Sequence, residues 1–375
     1  MAADRSSPQT SPQISSQMIP VSNATNNSPS LTDPNILKLA LAAKLKSMMS
    51  VQGEFYFPCV PSMIEEYLQL LLGLLKLLGQ NPSPEHITNL RGLVEKGITE
   101  GYRISPHARL IVNYLPAEAA KGLASGITIN TKVQVESVAD KYQTWPQIRK
   151  EPLFGSHPDA KVIDIATQLA AKTASIPILD IGAGTGRNSI PLAKLGHRVD
   201  AIELTPVFAE NLSAAATAEN LTVNVSQGDV LDPLLRMKPA CYKLAIASEV
   251  VSHFRYADQV RLLLAKMCDA LQIGGLLLFS AFVALDNYQL DNFVREMSEV
   301  SWCYVITREE LKSAMEGLPL EMVSEESVVE YEQTHLPKEA WPPTDWYINW
   351  ATGRDLFPIQ QNPPLELRWI LLKRI

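Results

Sequence analysis

The stretch Ile176-Pro-Ile-Leu-Asp180-Ile-Gly182-Ala-Gly184-Thr-Gly186-Arg187-Asn188-Ser189 decides the fold. A short apolar run of strand length enters a turn with three glycines in five residues. It leaves into a helix-length segment, Arg187 to Leu195. Glycine at such a turn lets the backbone come close to a ligand, and the helix start offers free N–H groups. The chain has only 18 glycines in 375 residues, so their concentration here is a local requirement rather than a habit of composition.

Downstream the same rhythm repeats. Arg198 to Leu204 reads as a strand, Pro206 to Asn220 as a helix, and Leu221 to Gln227 and Lys243 to Ser248 as strands. Tyr256 to Leu271 is a helix closed by Gly274-Gly275, and Leu276 to Val283 is a fifth strand. Alternating strands and helices imply an α/β fold with a parallel sheet covered on both faces. Thr307 and Glu310 have the spacing of a capping box. Glu321 to Tyr331 and Leu365 to Lys373 lack a long helix between them, which predicts an antiparallel strand pair at one sheet edge. Upstream, helices are expected from Asn35 to about Ser50, from a Ser62 cap to Leu78, and from Ser83-Pro84-Glu85 to about Glu100. Arg109 to Tyr114 and Ile127 to Val135 read as strands, and Glu136 to Ile148 as a helix. The division expected is a disordered tail over 1–35, a mainly helical cap with a strand pair over 36–150, and the α/β domain over 151–375.

Charge narrows the function classes. With 33 basic and 40 acidic side chains and a net charge of -7, the chain lacks the basic footprint of a general nucleic-acid binder. Cys59, Cys241, Cys268 and Cys303 form no C-x-x-C pair, which fits reduced thiols, a cytoplasmic location and no metal site. The N-terminus shows no signal-peptide pattern. The most apolar stretch, Tyr67 to Leu78, is far shorter than the roughly 20 residues that span a bilayer. It is expected to be a buried helix, the alternatives being a membrane-surface helix or a dimer-forming one that gives a homodimer through the N-terminal helices.

The ligand follows from what surrounds the glycines. Glu203 ends the next strand, 17 positions after Gly186. A carboxylate there can accept both hydroxyl hydrogens of a ribose. The dinucleotide fingerprint would need a third glycine three residues after the second; Arg187 stands there. Asp180, two residues before the first glycine, suits a cationic amino group better than a pyrophosphate. This combination resembles motif I of the class I S-adenosylmethionine-dependent methyltransferases. Further features of that family are matched by Gln227-Gly228-Asp229-Val230 after the third strand, Ser248-Glu249-Val250-Val251-Ser252-His253-Phe254 after the fourth, and Gly274-Gly275 before the fifth. Within that family, Gly186-Arg-Asn-Ser189 followed by Pro191-Leu192-Ala193 and Gly196-His197 resembles the tellurite-resistance-like small-molecule methyltransferases. Tellurite itself is not carried over as the substrate.

The resemblance implies a Rossmann-like doubly wound sheet of seven strands, the last antiparallel, with S-adenosyl-L-methionine as cofactor. It implies cofactor contacts from Asp180, Gly182, Ala183, Gly184, Gly186, Arg187, Asn188, Glu203, Leu204, Asp229, Val230 and Ser248. An acceptor hydroxyl or thiol needs a base, and His253, just beyond the fourth strand, is the best placed candidate, with Glu249 second. The acceptor wall is expected from Tyr142 and Trp145, and from Trp346, Tyr347 and Trp350 in the aromatic segment 341–350; aromatic faces suit a planar or cationic acceptor. His197, at the other sheet edge, reads as a surface residue, while His107 and His157 lie in Pro-flanked loops. The reading is methyl transfer to a small molecule, at oxygen. Its alternatives are a nicotinamide enzyme of the same fold, a cofactor-binding scaffold without turnover, and a methyltransferase acting on a protein.

Overall fold

A computed structural model describes residues 34–47, 52–78, 80–116, 127–149, 152–171 and 173–375. The chain divides into Met1–Met49 and Ser50–Ile375. The described part of the first unit is helix α1 (Pro34–Ser47), with Ile36, Leu39 and Leu41 exposed. The tail expected over 1–35 lies, but for its last two residues, outside the described residues.

The second unit begins with β1 (Gly53–Pro58), α2 (Ile64–Leu77), α3 (Pro84–Ile104), β2 (Arg109–Pro116) and β3 (Ile127–Gln134). The expected strand pair is a three-stranded antiparallel sheet in the order β1-β2-β3. β1 escapes a sequence reading because it is short and ends in proline. Leu68 and Leu71 of α2 and Val94 and Ile98 of α3 pack with Leu110 and Val112 of β2 in one apolar cluster. Ser83 caps α3, its hydroxyl accepting the His86 N–H at 3.3 Å. Ser62 does not cap α2; a 3-10 turn over Pro61–Met63 leads into the helix, and the Ser62 N–H goes to Glu296 at 2.7 Å.

Next come α4 (Val138–Ile148), α5 (Ala160–Ala170), β4 (Pro177–Ile181), α6 (Ser189–Lys194), β5 (Arg198–Glu203), α7 (Pro206–Ala218), β6 (Val223–Gln227) and β7 (Tyr242–Ala247). They are followed by α8 (Ala257–Ala270), β8 (Leu271–Ala284), α9 (Asn292–Val300), β9 (Val305–Ile306), α10 (Arg308–Met315) and β10 (Leu320–Ser327). The chain closes with α11 (Val328–His335), α12 (Tyr347–Ala351) and β11 (Leu365–Arg374). The strand order is β10-β11-β8-β7-β4-β5-β6, with β9 on β8. Strands β4 to β8 pair in parallel, and β11 is antiparallel to both its neighbours. This is the expected doubly wound Rossmann-like sheet with its last strand reversed.

The period-2 geometry of strands sorts the apolar residues onto two faces. Leu179 of β4, Ala245 and Ala247 of β7, and Leu277, Phe279 and Ala281 of β8 meet α8 and α10 on one face. Ile178, Leu244, Ile246, Leu278 and Phe282 meet α5, α6 and α12 on the other. Each large side chain so buried stabilises by roughly 1.5–3 kcal/mol.

Several expectations shift. The strand expected over Glu321 to Tyr331 ends at Ser327, because that hydroxyl caps α11 by accepting the Glu330 N–H at 3.3 Å. β8 starts at Leu271 rather than Leu276, so Gly274-Gly275 lies inside it, where the register with β7 shifts. The helix expected from Arg187 starts only at Ser189. Helix α5, unforeseen, proves central to the site.

Candidate functional site

The strand order reverses at β4, whose neighbours β5 and β7 lead to opposite sheet edges. In such sheets the crevice beyond the carboxyl ends of the strands is the place for a ligand. The glycine loop after β4 is tied to β5 through Gly182 N–H and Ala183 N–H, both donating to the Ile202 carbonyl at 2.8 and 3.2 Å. Gly182 has φ +66, and a Cβ there would lie 2.5 Å from Val250 Cγ2. Gly184 has φ +56, and the nearest atom to its Cβ position is 3.5 Å away on the Phe154 ring. The first glycine is thus required by packing, whereas the second opens the loop towards a cavity of about 460 Å³.

Glu203, Asp180, Asp229 and Glu249 line that cavity. Glu203, at the end of β5, is buried; one carboxylate oxygen accepts the Gly184 N–H at 2.8 Å and the other the Thr205 N–H at 2.7 Å. Each oxygen keeps lone-pair capacity for a further donor, which is what a vicinal diol presents. Burial pushes this carboxyl up, against the pull of the backbone N–H groups. Asp180 is buried and accepts the Ser189 hydroxyl at 2.6 Å; burial pushes it up to about 7. A nearby ammonium would relieve that cost. Asp229 is exposed and uses one oxygen to accept the Leu231 N–H at 2.8 Å. Ala183, Arg187, Asn188, Leu204, Val230 and Ser248 line the same cavity; Gly186 does not. An open glycine turn, an acceptor pair for a diol and a buried acid that needs a cation fit an adenosyl amino acid.

Behind the loop lies an ion-pair network that sequence reasoning missed. Arg187 donates to both oxygens of Asp159 at 2.7 and 3.2 Å, and to Glu249 at 2.8 Å. Asp159, just before α5, also accepts from Asn188 at 2.9 Å and Ser248 at 2.8 Å. Its own N–H donates to the Asn188 side-chain oxygen at 2.9 Å. The glycine loop, α5 and the segment after β7 are thereby fastened together. Glu249 sits at φ +59, and its N–H donates to Ser280 at 2.7 Å. Burial raises its carboxyl and Arg187 lowers it. Asp159 carries no sequence signature of its role; only Arg187, in the place of a third glycine, hinted that a partner existed.

A second cavity, of about 510 Å³, adjoins the first. Tyr142, Phe154, Glu249 and His253 line both, so the two chambers meet at these side chains. Trp145, Trp346 and Trp350, expected on the acceptor wall, line the second chamber. Tyr347, expected with them, does not; it is buried in the core against α12's own turn and Trp341. Trp302 and Arg149 were not foreseen. Trp302 stacks on Trp145 with ring centroids 5.5 Å apart and planes 1° from parallel. It sits at φ +58, held by its indole N–H donating to His107 Nδ1 at 3.1 Å and its carbonyl accepting from Trp350 at 2.8 Å. The Arg149 guanidinium lies 3.9 Å over the Trp145 ring. Neither residue belongs to a periodic or motif pattern that would mark it.

Tyr142 comes from α4, whose start is fixed by a capping box between Ser137 and Asp140. Its hydroxyl meets His253 Nε2 at 2.9 Å, while His253 Nδ1 is buried without a partner. Burial lowers His253 to about 4, so the ring is neutral near pH 7. His107 is buried as well and lowered to about 3 by burial. It supports Trp302 and lines neither chamber; His157 pairs with Ser156 at 3.0 Å and lines neither. His197, expected on the surface, is buried at 3 % exposure, because the turn between α6 and β5 folds it inward. Among the described residues no group of three His, Cys, Asp or Glu is arranged to hold a metal.

The glycine loop, the acids at the ends of β4 and β5 and the following strands fall within one recognisable segment. Residues 178–275 match the family model of a methyltransferase domain. The matched segment ends inside β8 and contains both Glu249 and His253; the aromatic wall from α4, Trp302 and α12 lies outside it. No curated protein matches the chain in sequence. Among solved structures, a geranyl diphosphate methyltransferase in complex with GPP and sinefungin aligns with 58% of this chain and 77% of its own, at 14% identity and a TM-score of 0.46. The geranyl diphosphate C-methyltransferase from Streptomyces coelicolor A3(2), with Mg2+, geranyl diphosphate and S-adenosyl-L-homocysteine, aligns with 59% of this chain and 91% of its own, at 14% identity and 0.44. The StiE O-MT structure aligns with 57% and 73%, at 17% identity and 0.41. Likeness at this level does not bear on the reaction.

Proposed function

We propose that the chain is an S-adenosylmethionine-dependent methyltransferase acting on a small-molecule acceptor at oxygen. The observation that carries the reading is the meeting of two chambers at Tyr142, Phe154, Glu249 and His253. One is lined by the glycine loop and four acids, the other by stacked tryptophans. The cofactor, when bound, supplies a methyl group on a sulfonium, which needs no further activation. Asp180 would hold its amino group, Glu203 its ribose hydroxyls and Asp229 its adenine edge. Arg187 and Asp159 keep the loop in place. The chain's remaining task is to align an acceptor atom and exclude water, and proximity and orientation supply much of such a rate. Tyr142 and Phe154 narrow the passage between the chambers.

Of the two candidate catalytic groups, His253 is the one free to face an acceptor, since Glu249 is held by Arg187. Gly186 is assigned to the turn rather than to the cofactor. The tellurite-resistance-like subgroup rests on residues 186–197 alone, and a cytoplasmic location on charge and cysteine use. Incubation with methyl-labelled cofactor and fractionated metabolites, followed by mass spectrometry, tests the reading. A labelled small molecule supports it. Label found only on protein favours a protein acceptor, and cofactor binding without any labelled product favours a scaffold.

A further inference from the structure

The state of His253 narrows the acceptor, on the reading of the site just given. Its Nε2 lies 2.9 Å from the Tyr142 hydroxyl. A phenol is a stronger donor than an imidazole N–H, and a neutral imidazole nitrogen is a strong acceptor. The favourable arrangement is therefore Tyr142 O–H donating to Nε2. Burial holds the Tyr142 phenol protonated, so that proton is always present. The imidazole is neutral, so its one proton then sits on Nδ1. Nδ1 is buried and has no partner. A buried donor left unsatisfied is costly, and His253 is one of the side chains that line the second chamber.

We propose that the second chamber takes an aromatic carboxylate, one oxygen of which receives the Nδ1–H of His253, and that Tyr142 is the positioning residue that fixes His253 as this donor. The product is a methyl ester. An oxygen lone pair of the carboxylate forms the new O–CH3 bond as the S–CH3 bond breaks, its electron pair staying on sulfur as the sulfonium becomes a thioether. No proton moves, so no base is required. This changes the role expected of His253, from base to hydrogen-bond donor.

Proton energetics favour the same choice. A phenolic acceptor titrating near 10 would have to give its proton to a ring lowered to about 4, an equilibrium unfavourable by a factor of about a million. A carboxylate has already lost its proton at neutral pH. The acids around the chamber do not oppose an anion as strongly as their number suggests. Glu136 pairs with Lys141 at 3.7 Å, Asp140 is spent on its cap with Ser137, Glu249 is held by Arg187, and Asp355, the fourth acid on the wall, is raised by burial, which favours its neutral form. Arg149 adds a cation over Trp145, and stacked Trp145 and Trp302 offer a flat apolar wall.

Two measurements test the proposal on the full chain. Long-range nitrogen–proton NMR reads the His253 tautomer without any ligand; the proton is expected on Nδ1 in the native chain, and in Tyr142→Phe the two tautomers are expected to mix. A proton on Nε2 in the native chain overturns the proposal. Tryptophan fluorescence with S-adenosylhomocysteine present then compares 2-naphthoate, 2-naphthamide and 2-naphthol. Naphthoate is expected to bind at least about tenfold tighter than either neutral analogue, as a charge-assisted hydrogen bond requires, with the preference reduced in Tyr142→Phe. Naphthoate that binds no tighter than the amide, or does not bind, overturns the proposal. Cofactor binding is measured separately by calorimetry: its absence refutes the methyltransferase reading, whereas its presence with a failed naphthoate preference refutes only the carboxylate.

Discussion

Replacing Arg187 by Met isolates what the buried network contributes. The guanidinium is 10% exposed and faces Asp159, 4% exposed, and Glu249, 19% exposed. Met preserves most of the side-chain length and apolar volume, so the change is largely one of charge. Asp159 keeps its bonds from Asn188 and Ser248, but Glu249 loses its ion pair. Removing one member of a buried pair leaves an uncompensated charge and costs about 3–5 kcal/mol. The cost depends on pH. Burial already raises the Glu249 carboxyl, and Arg187 opposes that rise. Without Arg187 the folded value climbs further above the unfolded one. A group raised on folding contributes stability at low pH and loses it as pH rises through its folded value, so the deficit is greatest at alkaline pH. Urea unfolding followed by tryptophan fluorescence, at about pH 8 and about pH 5, should show the full loss at the first and a smaller loss at the second. Arg187→Lys, which keeps the charge but not the fork, should fall between. A loss below about 1 kcal/mol, the range of surface pairs, or an equal loss at both pH values would refute the argument.

Three further outcomes follow from the same geometry. Ionising Asp180, held at about 7 instead of the usual 3.8, costs about 4 kcal/mol at most, so Asp180→Asn should stabilise the cofactor-free chain at about pH 8 while weakening S-adenosylmethionine binding; denaturation paired with calorimetry reads both, and a variant that binds as well as the native chain would sink the amino-group role. Gly182→Ala should destabilise the chain, because its Cβ would lie 2.5 Å from Val250 Cγ2 at φ +66; thermal unfolding unchanged from the native chain would contradict the packing account. Below pH 6.5, His253 and His107, lowered to about 4 and about 3, should each cost stability as the unfolded chain takes up protons more readily; His107→Phe should flatten the acid limb of an unfolding titration, and an unchanged limb would show that His107 is not buried as described.

The sheet was legible in the sequence because its strands are β-branched, apolar and punctuated by Gly, Pro and acidic residues. Even the reversed last strand followed from the absence of a long helix between β10 and β11. Elements with weaker signals were lost. β1 is six residues ending in proline, and α5 is eleven residues whose N-cap, Asp159, makes no side-chain cap hydrogen bond. The residues of the first chamber were legible because they belong to short local patterns: Asp180 and the glycines in one turn, Glu203 at the next strand end. The second chamber was half legible. Aromatic density pointed to α12, but only tertiary packing decides that Trp346 and Trp350 line a cavity while Tyr347 enters the core. Asp159, Arg149 and Trp302 act through partners 28 or more residues away or through stacking, and no local pattern encodes such pairings.

The central claim is that the crevice beyond β4 and β5 binds S-adenosylmethionine through Glu203. Isothermal calorimetry with S-adenosylmethionine and with NAD+, on the native chain and on Glu203→Ala, tests it directly. The account predicts one-site binding of S-adenosylmethionine, no binding of NAD+, and at least about tenfold weaker S-adenosylmethionine binding in the folded variant, the order expected for losing hydrogen bonds to a charged acceptor. Binding of NAD+ in place of S-adenosylmethionine, or an affinity unchanged by Glu203→Ala, would contradict it.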